Sequence, residues 1–554
     1  MRRVIPVPVR QALRVVACLV VSIATFLMWL AMAGQVLASE PASVPTRLPP
    51  QLPRSPPDLP PDLPQELRRE VEAILRASPV RGAAIVVVDA NGPTGVHWYG
   101  MADATREVPV TAATCMRAGA VSKTYTALLA QRLADQGKVS LEEALPAELQ
   151  PPAPIGGVRC AGGVSMAQLL EQTGGVVDHV GSTQMPIPIP ARISAAALHV
   201  ARQPLAWCPG LHHAASDTSI TLAAAALERA GGADFNTLMR HEVFAPLGVP
   251  DASFEDRPAC QSRSYVLAGH VTPQPSASAL RPADALVATP LELARLVQMF
   301  LRYGEGAAGN VVEPCGIAHM AIGTTALAGR QGVAAGAPGR GLLRFVAADR
   351  LMLGQTGRIG GFRTTIGFAP DAGKGMVIML NTDDAATLKR LTDAVAARLW
   401  QGLPMPPLPN IESPAANIAG WYKRVSSERG RWVTGLDVLR IEQDEGGLTL
   451  RGLWPWSTPR RVLGVTSTAF RDEALPLASM AFAPASLETE GVRWWVDGES
   501  YRELAPALVW GWLVIGAMLL ALAAAVGISG IALAGRWLVR RIDLDVDEPI
   551  RLFG

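Results

Sequence analysis

The chain has 554 residues, 49% of them hydrophobic and 18% charged, and a formal net charge of +2. That length gives room for several domains. A charge this close to zero excludes nucleic acid as the main partner, and the apolar content points instead to a globular protein associated with a lipid bilayer.

Arg2, Arg3, Arg10 and Arg14 precede an uncharged stretch over 15–36, and Val36-Leu37-Ala38 offers a cleavage site. Residues 1–38 therefore read as a signal peptide or as an uncleaved N-terminal anchor. Residues 39–65 form a Pro-rich linker: ten prolines fall within 41–64, a composition that makes an extended, semi-rigid spacer. A helix is expected over 67–77. A buried strand over 82–89 follows, then a turn at Asn91-Gly92 and a second strand over 95–100. From Ala120 the apolar residues Val121, Tyr125, Leu128, Leu129 and Leu133 recur at helical spacing, and Gly137 supplies the stop. Further helices are expected over 165–172, 194–202, 217–230, 290–302 and 384–400, and strands over 341–346, 363–368 and 375–380. Strands near both ends with helices between them imply an α+β fold, an antiparallel sheet flanked by helices.

Residues 403–414 are a second Pro-rich linker. Over 415–503 the texture changes to short strands at 438–441, 448–450 and 492–496, which read as a small β domain. Its tryptophans Trp421, Trp432, Trp454 and Trp456 read as core and turn packing. Residues 504–535 carry no charge, and about 20 apolar residues suffice for a helix to span a bilayer. Trp510, Trp512 and Trp537 stand at its ends as interface anchors. Arg536, Arg540 and Arg541 then place the tail over 536–554 on the cytoplasmic side. Both terminal signals put residues 40–503 on the outer face of a bacterial inner (cytoplasmic) membrane, facing the periplasm or exterior.

Five cysteines follow the first apolar segment: Cys115, Cys160, Cys208, Cys260 and Cys315. Their number is odd and their spacing fits no metal motif. Disulfides are permitted outside the cell, and Cys115, in an apolar approach to a helix, is the expected free thiol.

Four segments carry the chemistry. They are Gly119-Ala120-Val121-Ser122-Lys123-Thr124-Tyr125-Thr126, Leu169-Leu170-Glu171-Gln172-Thr173-Gly174-Gly175, Cys208-Pro209-Gly210 running on to Ala215-Ser216-Asp217, and Gln355-Thr356-Gly357-Arg358. In this order they resemble the serine β-lactamase and penicillin-binding-protein family, in its β-lactamase-related serine hydrolase branch. The resemblance covers 66–402, and Phe244-Ala245-Pro246-Leu247-Gly248 and Gly360-Gly361-Phe362-Arg363 continue it. Ala419-Gly420-Trp421-Tyr422 resembles the opening of the lipocalin-like barrels often appended to such proteins. The family implies a nucleophilic Ser-x-x-Lys at a helix start, a tyrosine that assists proton transfer, and a Lys or His before Thr-Gly on a strand. Aligned on Lys123, the serine falls on Ala120, the tyrosine on Ala215, the asparagine two positions on at Asp217, and the strand cation on Gln355. None of the catalytic set is intact, because a methyl group attacks no carbonyl. Ser122 stands about 200° around the helix from the lost serine and beside Lys123, not three residues from it.

A buried ammonium needs a partner. With the hydroxyl and phenol gone, a Lys123–Asp217 ion pair is expected; the plainer reading makes Asp217 a helix N-cap. The resemblance also places two backbone N–H groups, of Ala120 and Arg358, as the remnant of an oxyanion hole. Candidate ligand-binding residues are thus Ala120, Lys123, Asp217, Gln355, Thr356, Gly357 and Arg358. Arg358 and Arg363 either add charge there or are plain surface arginines. No cofactor and no metal is expected: His241-Glu242 lacks a second histidine at the required spacing, and His212-His213 near Asp217 reads as a pair of non-ligands.

The expected function is a non-catalytic one: binding a peptidoglycan-type peptide or an envelope protein partner. Two alternatives stand beside it, a serine hydrolase (esterase, β-lactamase or peptidase) with a nonstandard nucleophile, and an interaction scaffold whose pocket has collapsed.

Overall fold

The structure is a computed structural model. It describes residues 60–509 apart from 155–159, 180–192, 194–201, 268–269, 272–279, 326–328, 330–332, 334–337, 405–410, 413–417 and several positions within 426–498, plus a few positions beyond. Residues 54–504 form one compact unit.

Helix α1 (Gln65–Arg76) buries Leu67, Val71, Ile74 and Leu75, the i, i+4, i+7, i+8 stripe of an amphipathic helix. Strand β1 (Gly82–Asp89) and the long β2 (Gly92–Asp103) form the hairpin expected around Asn91-Gly92, with short β3 (Val108–Pro109) at the edge. The chain then passes through β4 (Met116–Arg117) into helix α2 (Val121–Asp135), the helix that carries Lys123. Short α3 (Met166–Leu170) and β5 (Asp178–His179) lead to α4 (Asp217–Gly231), short α5 (Arg281–Asp284), β6 (Val287–Ala288) and α6 (Pro290–Leu301). Strands β7 (Leu343–Ala347), β8 (Arg350–Ile359), β9 (Phe362–Ala369) and β10 (Lys374–Leu380) return to the sheet, and α7 (Ala385–Leu399) closes the domain.

The seven strands run in the order β3-β2-β1-β10-β9-β8-β7. β1 lies antiparallel to β10, with Ala83 opposite Leu380 and Val86 opposite Val377. Because alternate residues of a strand face opposite sides, Ala84, Val86 and Val88 enter a core shared with α2, α4 and α6, while Ala83 and Ile85 enter a second core with α1 and α7. A strand covered on both faces reads as an unbroken apolar run, and 83–88 does.

From Gly420 eight strands close into an antiparallel barrel, each paired with the next and Glu499–Leu504 returning to Gly420–Arg424. Trp494 fills its middle, with Tyr422, Phe470 and Phe482 around it. Of the tryptophans singled out in this region, Trp421 lies on the wall with the Arg440 guanidinium 5.3 Å from its ring; Trp432, Trp454 and Trp456 lie outside the described residues. The barrel meets the larger domain near the start of α4. Glu428–Arg429 pair in parallel with β5, and Val425 packs on Val177, Trp207 and Ala214.

The expected helix over 194–202 falls almost wholly outside the described residues, as does the segment over 1–38. So does nearly all of the membrane helix expected over 504–535. Among the described residues no helix is long and apolar enough to cross a membrane.

The cysteine expectation is corrected. Cys115 is not free: it is bonded to Cys260, and Cys160 to Cys208, leaving Cys315 as an exposed free thiol. The cause is tertiary: the Cys115 N–H donates to the Cys260 carbonyl, which brings together two residues 145 apart in sequence.

Candidate functional site

Helix α2 starts where two backbones press together. Gly119 has φ +56, and a Cβ added there would lie 2.6 Å from the Arg358 nitrogen. A Cβ on Gly357 would lie 1.9 Å from the Ala118 carbonyl oxygen and 3.1 Å from the Ala120 nitrogen. Only glycine permits this approach. It brings the main chain around Arg358 against that of Gly119 and Ala120 at a helix N-terminus, where the peptide dipoles favour negative charge. Ala120 stands at the N-cap with no side-chain hydrogen bond to offer. Its methyl is half-buried.

One turn along, Lys123 is almost fully buried. Its Nζ lies 2.8 Å from Asp217 Oδ1 and donates to Gln172 Oε1 at 3.1 Å. The expected ion pair is therefore present. The plainer reading of Asp217 gives way, because Ser216 is the N-cap of α4: its hydroxyl accepts the Ser219 N–H at 3.0 Å. Ala215 is exposed beside it, a methyl where the family's phenol would stand. The tyrosine two residues past Lys123 does not supply one. Tyr125 is wholly buried, edge-on to Phe244 at 5.6 Å, and burial drives its phenol further above the ordinary range.

Ser122 is turned away from the cleft. It is completely buried, and its Oγ accepts the Leu286 N–H at 3.0 Å. Gln355 is buried too, its Nε2 donating to the Gly341 carbonyl at 3.4 Å and its Oε1 accepting the Thr356 N–H at 3.0 Å. Thr356 and Arg358 are exposed on the strand face that alternates with it. Arg358 and Arg363 both bind Asp383, at 2.8 and 2.6 Å. Their charges are thus engaged at the rim, with the Asp383 carboxylate held below its ordinary pKa by those two guanidiniums against the opposing effect of burial.

Three further residues belong to the cluster and were not among the candidates. Gln172 adopts a left-handed backbone, φ +57, uncommon for a residue with a side chain; its Oε1 takes both the Lys123 ammonium and the Ser216 N–H, the latter at 2.9 Å. Its signal was its place in the Leu169–Gly175 segment. Asp178 accepts the Ser216 hydroxyl and the Asp217 and Thr218 N–H groups at 3.0–3.1 Å, and no sequence pattern marks it. Asp284 ends α5; its Oδ1 is closed off from solvent without a hydrogen-bond partner among the described residues. Burial first, then the Asp217 charge, push its carboxyl up to about 7, while Arg117 and Lys123 oppose this.

His212 is buried against Trp207, and that burial lowers it to about 4, so it is neutral near pH 7. Among the described residues no group of three His, Cys, Asp or Glu side chains is arranged to hold a metal ion.

A family model described as Beta-lactamase matches residues 67–399. This chain belongs to the β-lactamase family. The family's Beta-lactamase from Escherichia coli (strain K12) is 23% identical to it over 347 residues, 56% of this chain and 86% of that protein. Among solved structures, SurE is similar with a TM-score of 0.54 and 23% identity, over 79% of this chain and 98% of that one. The octameric penicillin-binding protein homologue from Pyrococcus abyssi is similar with a TM-score of 0.51 and 17% identity, over 76% and 96%. At these identities the likeness is one of fold, and it extends the family match to an α+β domain followed by a small barrel. In this member a close backbone approach at Gly119 and Gly357 stands beside a lysine paired with a carboxylate.

Proposed function

We propose that this β-lactamase-family chain binds the D-amino-acid end of a peptidoglycan-type peptide and does not cleave it. The observation that carries this reading is the 2.8 Å Lys123–Asp217 contact behind the Ala120 methyl. A lysine held by a carboxylate is a poor proton acceptor, and no hydroxyl stands in front of it to be activated. The paired nitrogens of Ala120 and Arg358 need no side chain to receive a carbonyl or carboxylate oxygen. Gln355, Thr356 and Gly357 form the adjoining strand edge. A structure of SurE with D-Leu supports a D-amino acid as the class of ligand.

The same proposal places the chain in the bacterial inner membrane through residues 504–535, with the site facing outward. The uncharged run from Leu504 to Gly535 supports this. The two disulfides are the chemistry of an oxidising compartment.

A hydrolase with Ser122 as nucleophile is disfavoured by the burial of that hydroxyl and its engagement with Leu286. Exposure of the full chain to a fluorescent penicillin and to a fluorophosphonate is expected to leave no covalent adduct in an intact-protein mass spectrum. D-alanyl-D-alanine-ended peptides are expected to bind reversibly by calorimetry. An adduct returns the chain to the hydrolases; absence of both adduct and binding leaves the scaffold reading.

A further inference from the structure

We infer that the site selects ligands bearing a free ammonium group, with Asp284 as the carboxylate that receives it; this rests on the ligand-binding reading above and names what that ligand carries. Lys123 is held by Asp217 and Gln172, and Arg117 by Asp256 at 2.6 Å. Asp217 is only partly buried, and Asp284 shares its surroundings: α5 packs against both α2 and α4, and the charges of Asp217 and Lys123 both act on Asp284. Three carboxylates, Asp178, Asp217 and Asp284, therefore gather around one ammonium. A second ammonium is the complement that the cluster lacks.

The second observation is the unpartnered oxygen. Asp284 Oδ1 is shut off from solvent with no donor among the described residues, an arrangement that is costly for a carboxylate unless a donor arrives. The residue as a whole remains half-buried. Its terminal torsion is broad, so a partial rotation of the carboxylate turns that oxygen toward the solvent-exposed side of the residue. An ammonium brings three donors and a positive charge. The third observation is the corner at Ala120 and Arg358, which receives the opposite end of the same ligand. A donor-rich cation beside Asp284 and an oxyanion on the backbone corner describe an amino acid or short peptide with its N-terminus unblocked. An N-acylated ligand offers a neutral amide in place of the ammonium and leaves the Asp284 charge uncompensated.

The selectivity is pH-dependent with a defined sign. Asp284, pushed up to about 7, accepts an ammonium only when ionised, so the preference is strongest above that value and fades as pH falls through it. The charged groups that face it are Asp217 on α4, Asp178 on β5, Lys123 on α2 and Arg117 on β4. Capture of the ammonium releases a proton near neutrality, because binding stabilises the carboxylate.

The test is calorimetric titration of the full chain with D-alanyl-D-alanine and with its N-acetyl counterpart. The expected result at pH about 7.5 is at least about tenfold tighter binding of the unblocked peptide, the scale of one charge-assisted contact, with proton release revealed by comparing buffers of different ionisation enthalpy. The ratio is expected to fall toward one at pH about 5.5. Asp284→Asn is expected to abolish the preference while leaving N-acetyl-D-alanyl-D-alanine affinity unchanged. If that variant does not melt cooperatively, the wild-type pH series carries the test alone. Equal or tighter binding of the acetylated peptide, or a preference that survives in Asp284→Asn, overturns this inference and leaves the ligand-binding reading standing. Binding of neither peptide overturns both.

Discussion

The backbone corner at Gly119, Ala120, Gly357 and Arg358 and the side-chain cluster around Lys123 lie within one helical turn of each other, yet they answer to different constraints. The corner is made by the approach of β8 to the start of α2, and the glycines that allow it are packing requirements of the sheet. A family member keeps that geometry as long as it keeps the fold, whatever chemistry it performs. The cluster is made of side chains whose identities are exchangeable as long as the charges balance. Here a carboxylate at Asp217 balances the lysine, behind an alanine at the start of the helix. Fold and side-chain chemistry are thus separable within a few ångströms.

The comparison breaks most sharply at Gly357. A methyl group there meets the Ala118 carbonyl at 1.9 Å, backbone against backbone with no side chain to move aside. Gly357→Ala is expected to cost about 3 kcal/mol of stability, at the upper end for overpacking, and to lower the urea midpoint accordingly. Full stability in that variant would mean the corner is looser than described. On the cluster side, Asp217→Asn removes the carboxylate from a nearly buried lysine. A loss of about 2 kcal/mol is expected, below the range for fully buried pairs because Asp217 is part-exposed. In a double-mutant cycle with Lys123→Met the two losses should not add; strict additivity would show that the pair is uncoupled.

Asp284→Asn tests the same cluster with the opposite sign. A carboxyl raised to about 7 in the folded chain from an unfolded value near 4 holds its proton longer when folded. Its contribution therefore declines as pH rises between those values and stays low above them. The asparagine variant is expected to be more stable than wild type by about 1 kcal/mol at pH about 8, with the gap closing on acidification toward pH about 4. Thermal melts at a series of pH values measure this. The smallest effect belongs to Ala120→Ser. Restoring the hydroxyl leaves Ala215 without a phenol and Lys123 bound to Asp217, so labelling by fluorescent penicillin should stay at background; strong labelling would show that Lys123 is free to act as a base.

What the sequence disclosed follows the same division. The helix over Val121–Asp135 and the strands β1, β9 and β10 were legible because their apolar periodicity is local. The Lys123–Asp217 pair was legible because a buried ammonium demands a counter-charge and only one nearby motif position had acquired one. Gln172 was visible as a replaced residue but not as a lysine ligand, since that role depends on its left-handed backbone. Asp178 and Asp284 were invisible: each reaches the cluster from a loop or short helix whose placement is set by tertiary packing. The disulfide partner of Cys115 was missed for the same reason. In the barrel, strands such as Arg460–Gly464 and Ala469–Asp472 are too short and too charged to stand out as apolar runs, and closure of the barrel gives them partners that no local pattern announces.

The pairing of β1 with β10 has a consequence for biogenesis. The middle of the sheet joins residue 83 to residue 380, and α1 rests against α7. While the chain is being made, its first hairpin has no neighbour on one side until nearly three hundred further residues have emerged, and its apolar face stays uncovered meanwhile. Such distant pairing is slow and exposed to aggregation. In a polypeptide of this design the central strands meet only after nearly the whole domain has been made.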